Sequence, residues 1–302
     1  KGTAMTKEKS DLNFKNVYEA FDEFQARFLI DRKSIFFNND DEVLTEEALT
    51  YLKKNFIENG YEGDASFREK IQHQLVDEPK VRADDEVRQK AVEILATAAW
   101  LWRLPARVVN DRAASVNEVL GILGDDNKVP DNNHFLVSKF EGIASVGTYY
   151  NTNKPFELAY IISFFDEYLK VESNPDPIKI LSEMSENSTE ATQEIKSTKD
   201  FSYQDKEKKK EPKLNGLNKD PQNKSVSIHN ALLHFFKPEK FEPILSRNHK
   251  ESIDKVFSDL FDIPKKGSVD QRIEEIKSKI IKELPGPLNG GFYDERIKNI
   301  WF

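Results

Sequence analysis

Two short stretches of this chain place aromatic, amide and basic residues together in the combination that grips nucleic acid. In Thr148 to Pro155, TYYNTNKP, Tyr149 and Tyr150 are stacking faces, Asn151 and Asn153 are amides, and Lys154 is a phosphate partner. In Ser246 to Lys250, SRNHK, Arg247, His249 and Lys250 stand at a helix start, where free backbone N–H groups also favour an anion. Each stretch has a plainer reading. The first is also what an N-capping loop needs, with rings sealing the core beneath the following helix. The second is also a solvated turn, because basic side chains at a helix start oppose its dipole.

Other chemistry is harder to assemble. His229 and His234 are the only close histidine pair, and their five-residue separation puts them about 140° apart on a helix, whereas two ligands on one face need a spacing of three or four. No metal site is therefore expected. The acidic runs Asp40, Asp41, Glu42 and Asp84, Asp85, Glu86 stand where helix starts recruit carboxylates. The chain has no cysteine, which removes disulfides, thiol nucleophiles and thiolate metal sites and suits a reducing cytoplasm. No phosphate-cradling glycine loop followed by Lys-Ser/Thr is present, since PGPLNGG lacks the lysine and the hydroxyl. No Gly-x-Ser-x-Gly elbow appears either. The expectation is a piece with no catalytic residues, no metal and no cofactor of its own, and so not itself an enzyme.

The elements that must carry these residues read as helices. Phe14, Val17, Tyr18, Phe21, Phe24 and Phe28 repeat at helical spacing, and Thr45 caps a helix running through Leu49, Leu52 and Phe56. Ser66 with Glu69, Ser115 with Glu118, and Ser268 with Gln271 read as capping boxes. A helix from Val87 ends in AAWLWRLP, where Pro105 forbids continuation. Trp100 and Trp102 lie on different faces of that helix, so both are buried only if it is contacted on two sides, and we take both as structural core. The body that starts at Asn153 and Pro155 is apolar on nearly all sides, which marks a buried helix. The segment 135–150, with Gly142 and Gly147, reads as a loop or a short hairpin.

With 302 residues there is ample chain for a core, and a net charge of −8 argues against coating the whole surface with nucleic acid. No apolar run approaches about 18 residues, so no membrane span is expected, and no charged-then-apolar leader supports secretion. The opening Lys1-Gly2-Thr3-Ala4 reads as an expression remnant before a native Met5. The fold expected is mostly α: an irregular multi-helix module with a smaller C-terminal helical part and at most a short hairpin. Its parts are a helical domain over 5–181, a polar linker or disordered insertion over 182–227, and a helical segment over 228–302.

Five blocks in this order resemble the region that precedes the motor in McrB-like AAA+ proteins of modification-dependent restriction and anti-phage systems. They are NVYEAFDEFQARFLIDRKSIF at 16–36, ILATAAWLWRLP at 94–105, EGIASVGTYYNTNKPFELAYIISFF at 141–165, HFFKPEKFEPILSRNHKESI at 234–253 and FYDERIKNIW at 292–301. The resemblance implies a cytoplasmic recognition or sensor module that reads target DNA and couples it to a GTP- or ATP-driven motor. The nucleotide and its Mg belong to that motor, which is absent here and through which oligomerisation would occur. The alternative it implies is a scaffold that docks an McrC-like nuclease subunit or senses a phage protein.

Overall fold

The computed structural model describes residues 14–38, 40–59, 64–108, 111–129, 133–137, 140–146, 150–151, 153–184 and 226–302. Most of the segment read as a linker, 185–225, lies outside the described residues, but its first residues continue a helix over 177–184. The chain divides into two compact units, Lys1–Val226 and Ser227–Phe302. Among the described residues it is mostly helical, with neither strand nor sheet, and no helix is long and apolar enough to cross a membrane.

The first unit opens with three helices that end alike. α1, Val17–Phe24, is capped by Asn16, whose side chain accepts the N–H groups of Tyr18 and Glu19. α2, Glu46–Leu52, is capped by Thr45, and α3, Phe67–Gln72, by the Ser66–Glu69 capping box expected from sequence. Each then widens into a π-type turn, over Gln25–Ile30, Lys53–Ile57 and His73–Asp77. There the N–H of Asp31 reaches the Ala26 carbonyl, that of Glu58 reaches Lys53 and that of Glu78 reaches His73, each five residues back. The looser turn lets successive apolar side chains face inward, so Phe28 and Leu29 are both buried, as are Phe56 and Ile57.

α4, Asp85–Arg103, is the axis of this unit. Every residue from Ile94 to Arg103 is buried, because the helix packs against α2 and two later helices, α5, Asp111–Leu120, and α7, Lys154–Lys170. Trp100 is fully buried, with its Nε1–H donating to the Phe135 carbonyl at 2.8 Å and its ring 5.7 Å from Phe24. Phe165 of α7 closes the cluster against Phe24 and Phe28. α5 departs from expectation. It begins at Asp111, so Ser115 is a buried position inside the helix rather than its cap, and Glu118 reaches out to α7. A short α6, His134–Val137, and α8 over 177–184 complete the unit.

No hairpin forms in 135–150 among the described residues. The one backbone bridge there runs from Ala144 to Ala106, just past the end of α4. The Pro105 carbonyl accepts from the N–H groups of Ile143 and Ala144, and Arg107 N–H donates to Ala144. Gly142 is required by space, not by backbone angle: a Cβ there would stand 2.2 Å from the Pro105 carbonyl oxygen.

The second unit holds α9, Ser227–Phe236, α10, Arg247–Leu260, α11, Val269–Glu283, and α12, Glu295–Trp301. Ile253, Phe257, Ile273, Ile276, Ile280 and Trp301 supply most of its core. The Ser268–Gln271 capping box starts α11 as expected, and the Trp301 indole N–H donates to the Phe292 carbonyl at 2.9 Å. Asn230, buried in α9, donates to the Leu245 carbonyl and holds the approach to α10.

Candidate functional site

The end of α4, the start of α5, the loop after Gly142 and the start of α7 meet in one polar junction. Sequence position separates these segments, and the Pro105–Ala144 pairing brings them together. Tyr150 lies flat on Trp102, ring centroids 5.3 Å apart and planes within 10°, and its hydroxyl donates to the Trp102 carbonyl. Both rings are almost wholly buried. Burial pushes the Tyr150 hydroxyl well above the ordinary tyrosine pKa, with Glu157 adding to the shift. A phenol placed this way is a hydrogen-bonding anchor, not a free stacking face.

Arg103, only 4% exposed, ties the junction to α5 and the loop: Nη1 donates to Asn151 Oδ1 at 2.8 Å and Nη2 to Asp111 Oδ2 at 2.7 Å. Arg112 is buried completely. Its Nη1 donates to the Phe140 carbonyl at 3.0 Å, its Nη2 lies 3.4 Å from the Leu104 carbonyl, and its plane covers the Phe140 ring. Burial, then the neighbouring Arg103 charge, lowers its pKa to about 10, so it stays charged at neutral pH. Asn153 caps the start of α7 with its backbone carbonyl, while its amide lies 3.4 Å from the buried Glu157 carboxylate.

Lys154 sits in a partly aromatic box. Its Nζ lies 4.2 Å from the Phe67 ring centre, 5.3 Å from Trp102 and 3.4 Å from Glu118 Oε1. Burial lowers the ammonium pKa below the ordinary lysine value, and the Glu118 carboxylate opposes that shift. The spare capacity of the junction is all donor. The buried Nε1 of Trp102 and the Nε atoms of Arg103 and Arg112 have no acceptor among the described protein atoms, so the junction suits an acceptor such as water or an anion.

The second sequence cluster is placed differently. Ser246 caps α10 by accepting the His249 N–H, and Arg247 reaches forward to Glu251 at 2.8 Å. Lys250 is 3% exposed and pairs with Asp270, in the first turn of α11, at 2.7 Å. His249 Nδ1 is 2.8 Å from the Tyr293 hydroxyl, and its ring lies 5.3 Å from those of Trp301 and Phe302. Burial, then Lys298, lowers the His249 pKa. In α9, burial takes His229 down to about 4.

Of the residues singled out from sequence, Tyr150, Asn151, Asn153 and Lys154 come together at the junction with Trp102, and Tyr149 lies outside the described residues. Trp100 faces the opposite side of α4, in the phenylalanine core. Arg247, His249 and Lys250 share one helical turn but face three different partners. Sequence reasoning missed Arg103, Arg112, Glu118 and Glu157. Arg103 carried a signal, an arginine closing an otherwise apolar helix end, whereas Arg112 looked like any surface arginine. Among the described residues no group of three or more histidines and carboxylates is placed to hold a metal ion. No family model matches the chain, nor does any curated protein or solved structure.

Proposed function

We propose that the chain is the recognition and adaptor piece of an McrB-like restriction or anti-phage protein, and that it engages a protein partner. The family part of this reading rests on the five sequence blocks. The choice of protein over nucleic acid rests on one observation: among the described residues, most of the basic and aromatic side chains suited to nucleic acid are committed inside the fold, and Arg247, with 40% of its side chain exposed, is engaged by Glu251. Tyr150 is stacked under Trp102, Lys154 is boxed by Phe67, Trp102 and Glu118, and Lys250 is locked to Asp270. A phosphate contact requires a cation that can be offered to solvent, and a net charge of −8 adds no general attraction for DNA. An exposed apolar residue favours a protein partner instead: on α12, Ile300 is 50% exposed.

A pair of measurements tests this. In an anisotropy titration at low salt, with modified and unmodified duplexes and a single strand, no salt-dependent binding that Lys154→Met or Lys250→Met weakens is expected. In a co-purification with an McrC-like nuclease subunit, capture is expected and should be lost on Ile300→Asp. Trp301 is unsuitable as a probe because it belongs to the core of the second unit. DNA binding whose salt slope drops by about one on Lys154→Met would overturn the proposal in favour of direct DNA recognition.

A further inference from the structure

The turn that leads into α12 carries residues that react with each other. Of the chain's three Asn-Gly pairs, at 59–60, 215–216 and 289–290, only Asn289–Gly290 lies wholly within the described residues. An asparagine in this setting is open to attack by the next backbone nitrogen, which glycine leaves unshielded by any Cβ. Asn289 is exposed, and its side-chain amide has no partner among the described residues; only its backbone N–H is engaged, by Asp294 Oδ2 at 2.8 Å. The Gly290 N–H is donated to no acceptor among them. A Cβ at Gly290 would meet nothing within 4 Å, so there is room for a ring and for water. Gly290 stands at φ 81°, ψ 22°, a left-handed conformation that glycine leaves as readily as it enters, so the 289–290 peptide plane can turn its nitrogen toward Asn289 Cγ.

What surrounds the pair gives its conversion a structural consequence. The Gly290 carbonyl accepts the Tyr293 N–H at 3.1 Å, and Arg296 holds the Pro285 and Pro287 carbonyls at 2.8 and 2.9 Å, so the turn is fixed on both sides of Asn289. The same turn delivers Phe292, 1% exposed, whose carbonyl accepts the Trp301 indole N–H, and Tyr293, whose hydroxyl meets His249. The nearest charges are negative. Asp294 already binds the Asn289 N–H, and Glu242 Oε2 would stand 3.2 Å from a Cβ at Gly291.

We propose that Asn289–Gly290 is a self-modification site whose conversion to aspartate or isoaspartate loosens the seat of α12. The Gly290 nitrogen, its proton taken by hydroxide, bonds to Asn289 Cγ; the Cγ–Nδ2 bond breaks, and Nδ2 leaves as ammonia with a proton from water. Water then opens the five-membered succinimide. Attack at Cγ gives aspartate, and attack at the main-chain carbon gives isoaspartate. Either product sets a new negative charge beside Asp294, and isoaspartate also lengthens the main chain by a methylene inside a turn held at both ends. No partner enters this inference, so it stands whether or not the adaptor reading holds.

The test incubates the full chain in mildly alkaline buffer beside a free peptide of residues 287–293, which serves as the clock. By the time the peptide is fully converted, peptide mass mapping should find most of residue 289 carrying the mass gain of an amide turned acid, in two chromatographically separate forms. The rate should fall in mildly acidic buffer, where hydroxide is scarce. In the converted protein the Trp301 indole N–H should exchange with solvent about tenfold faster, the protection of roughly one hydrogen bond, while the Trp100 indole, bonded to the Phe135 carbonyl, is unchanged. Asn289→Gln keeps an exposed amide but must close a larger, slower ring, and should show neither change. An intact Asn289 once the peptide is spent, conversion that leaves Trp301 exchange as it was, or the same faster exchange in Asn289→Gln would overturn the proposal.

Discussion

The junction around Lys154 and the turn around Lys250 start from similar sequence material, a lysine in the first turn of a helix with an aromatic residue close by. They bury that lysine in different ways. Lys154 gives up water mainly for ring faces, with Glu118 at the long distance of 3.4 Å, and burial lowers its pKa. Lys250 is more deeply buried but has Asp270 at 2.7 Å, a carboxylate that also sits well in the first turn of its own helix. The first is an apolar environment that tolerates a cation, and the second is an ion pair that the packing encloses. A basic residue beside a helix start is therefore no guide to surface chemistry until its partner is known.

The comparison breaks most completely if the loop that carries Tyr150 and Asn151 is unseated. Gly142→Ala puts a methyl group 2.2 Å from the Pro105 carbonyl oxygen and 2.3 Å from that of Ala106, both rigid backbone. The loop must lift, losing the Ile143, Ala144 and Arg107 hydrogen bonds and the Phe140 carbonyl held by Arg112. Overpacking plus lost hydrogen bonds should cost roughly 4 kcal/mol, read from urea unfolding. An effect under about 1 kcal/mol would mean that the junction does not depend on this crossing.

Gly142 also marks how far the sequence could be read. Periodicity placed α1, α4 and α7, and caps placed α2, α3 and α11, because Thr45, Ser66 and Ser268 act locally on the turns they start. Contacts made across the chain left no such trace. Asn55 mimics a backbone partner for Val81, donating to its carbonyl and accepting its N–H, and Asn117 does the same for Val129. The Ser115–Glu118 pattern satisfied the capping-box spacing yet lies inside α5, since a helix can begin earlier when tertiary contacts hold its first turn. At the candidate site the residue types were legible in TYYNTNKP, but their inward direction was set by Trp102, Phe67 and Glu118, far away in the sequence.

The environment of Lys250 can be sharpened by pH. His229 is buried beside Lys250, Asp270 and Arg247, and burial is the main reason its pKa falls from 6.5 to about 4. A histidine with a depressed folded pKa binds its proton more readily when unfolded. Its contribution is therefore complete above about pH 6.5 and is lost as the pH falls toward the folded value. From 6.5 to 4 the loss should be on the order of 3 kcal/mol, seen as a lower stability in urea unfolding repeated across that pH range. His229→Gln should flatten that dependence by about one proton, whatever its effect on stability at neutral pH. An unchanged slope would place the acid response in other groups.

The smallest effects make the most direct contrast. Lys250→Met removes one member of a close pair and leaves Asp270, one quarter exposed, with water on one side only, so about 1–2 kcal/mol of stability should be lost. Lys154→Met sets a thioether between Phe67 and Trp102, where sulfur–ring contact replaces the cation, and Glu118, with a third of its side chain exposed, can hydrate. That change should stay within about 1 kcal/mol in either direction, because the box is apolar. Melting of both variants in parallel gives the ordering, and each melt repeated at high salt separates the mechanisms. An enclosed ion pair is screened weakly, so the Lys250→Met difference should persist in salt. If Lys154→Met proves the costlier of the two, the rings around Lys154 act as a cation site and not as apolar packing, and the contrast between the two lysines reverses.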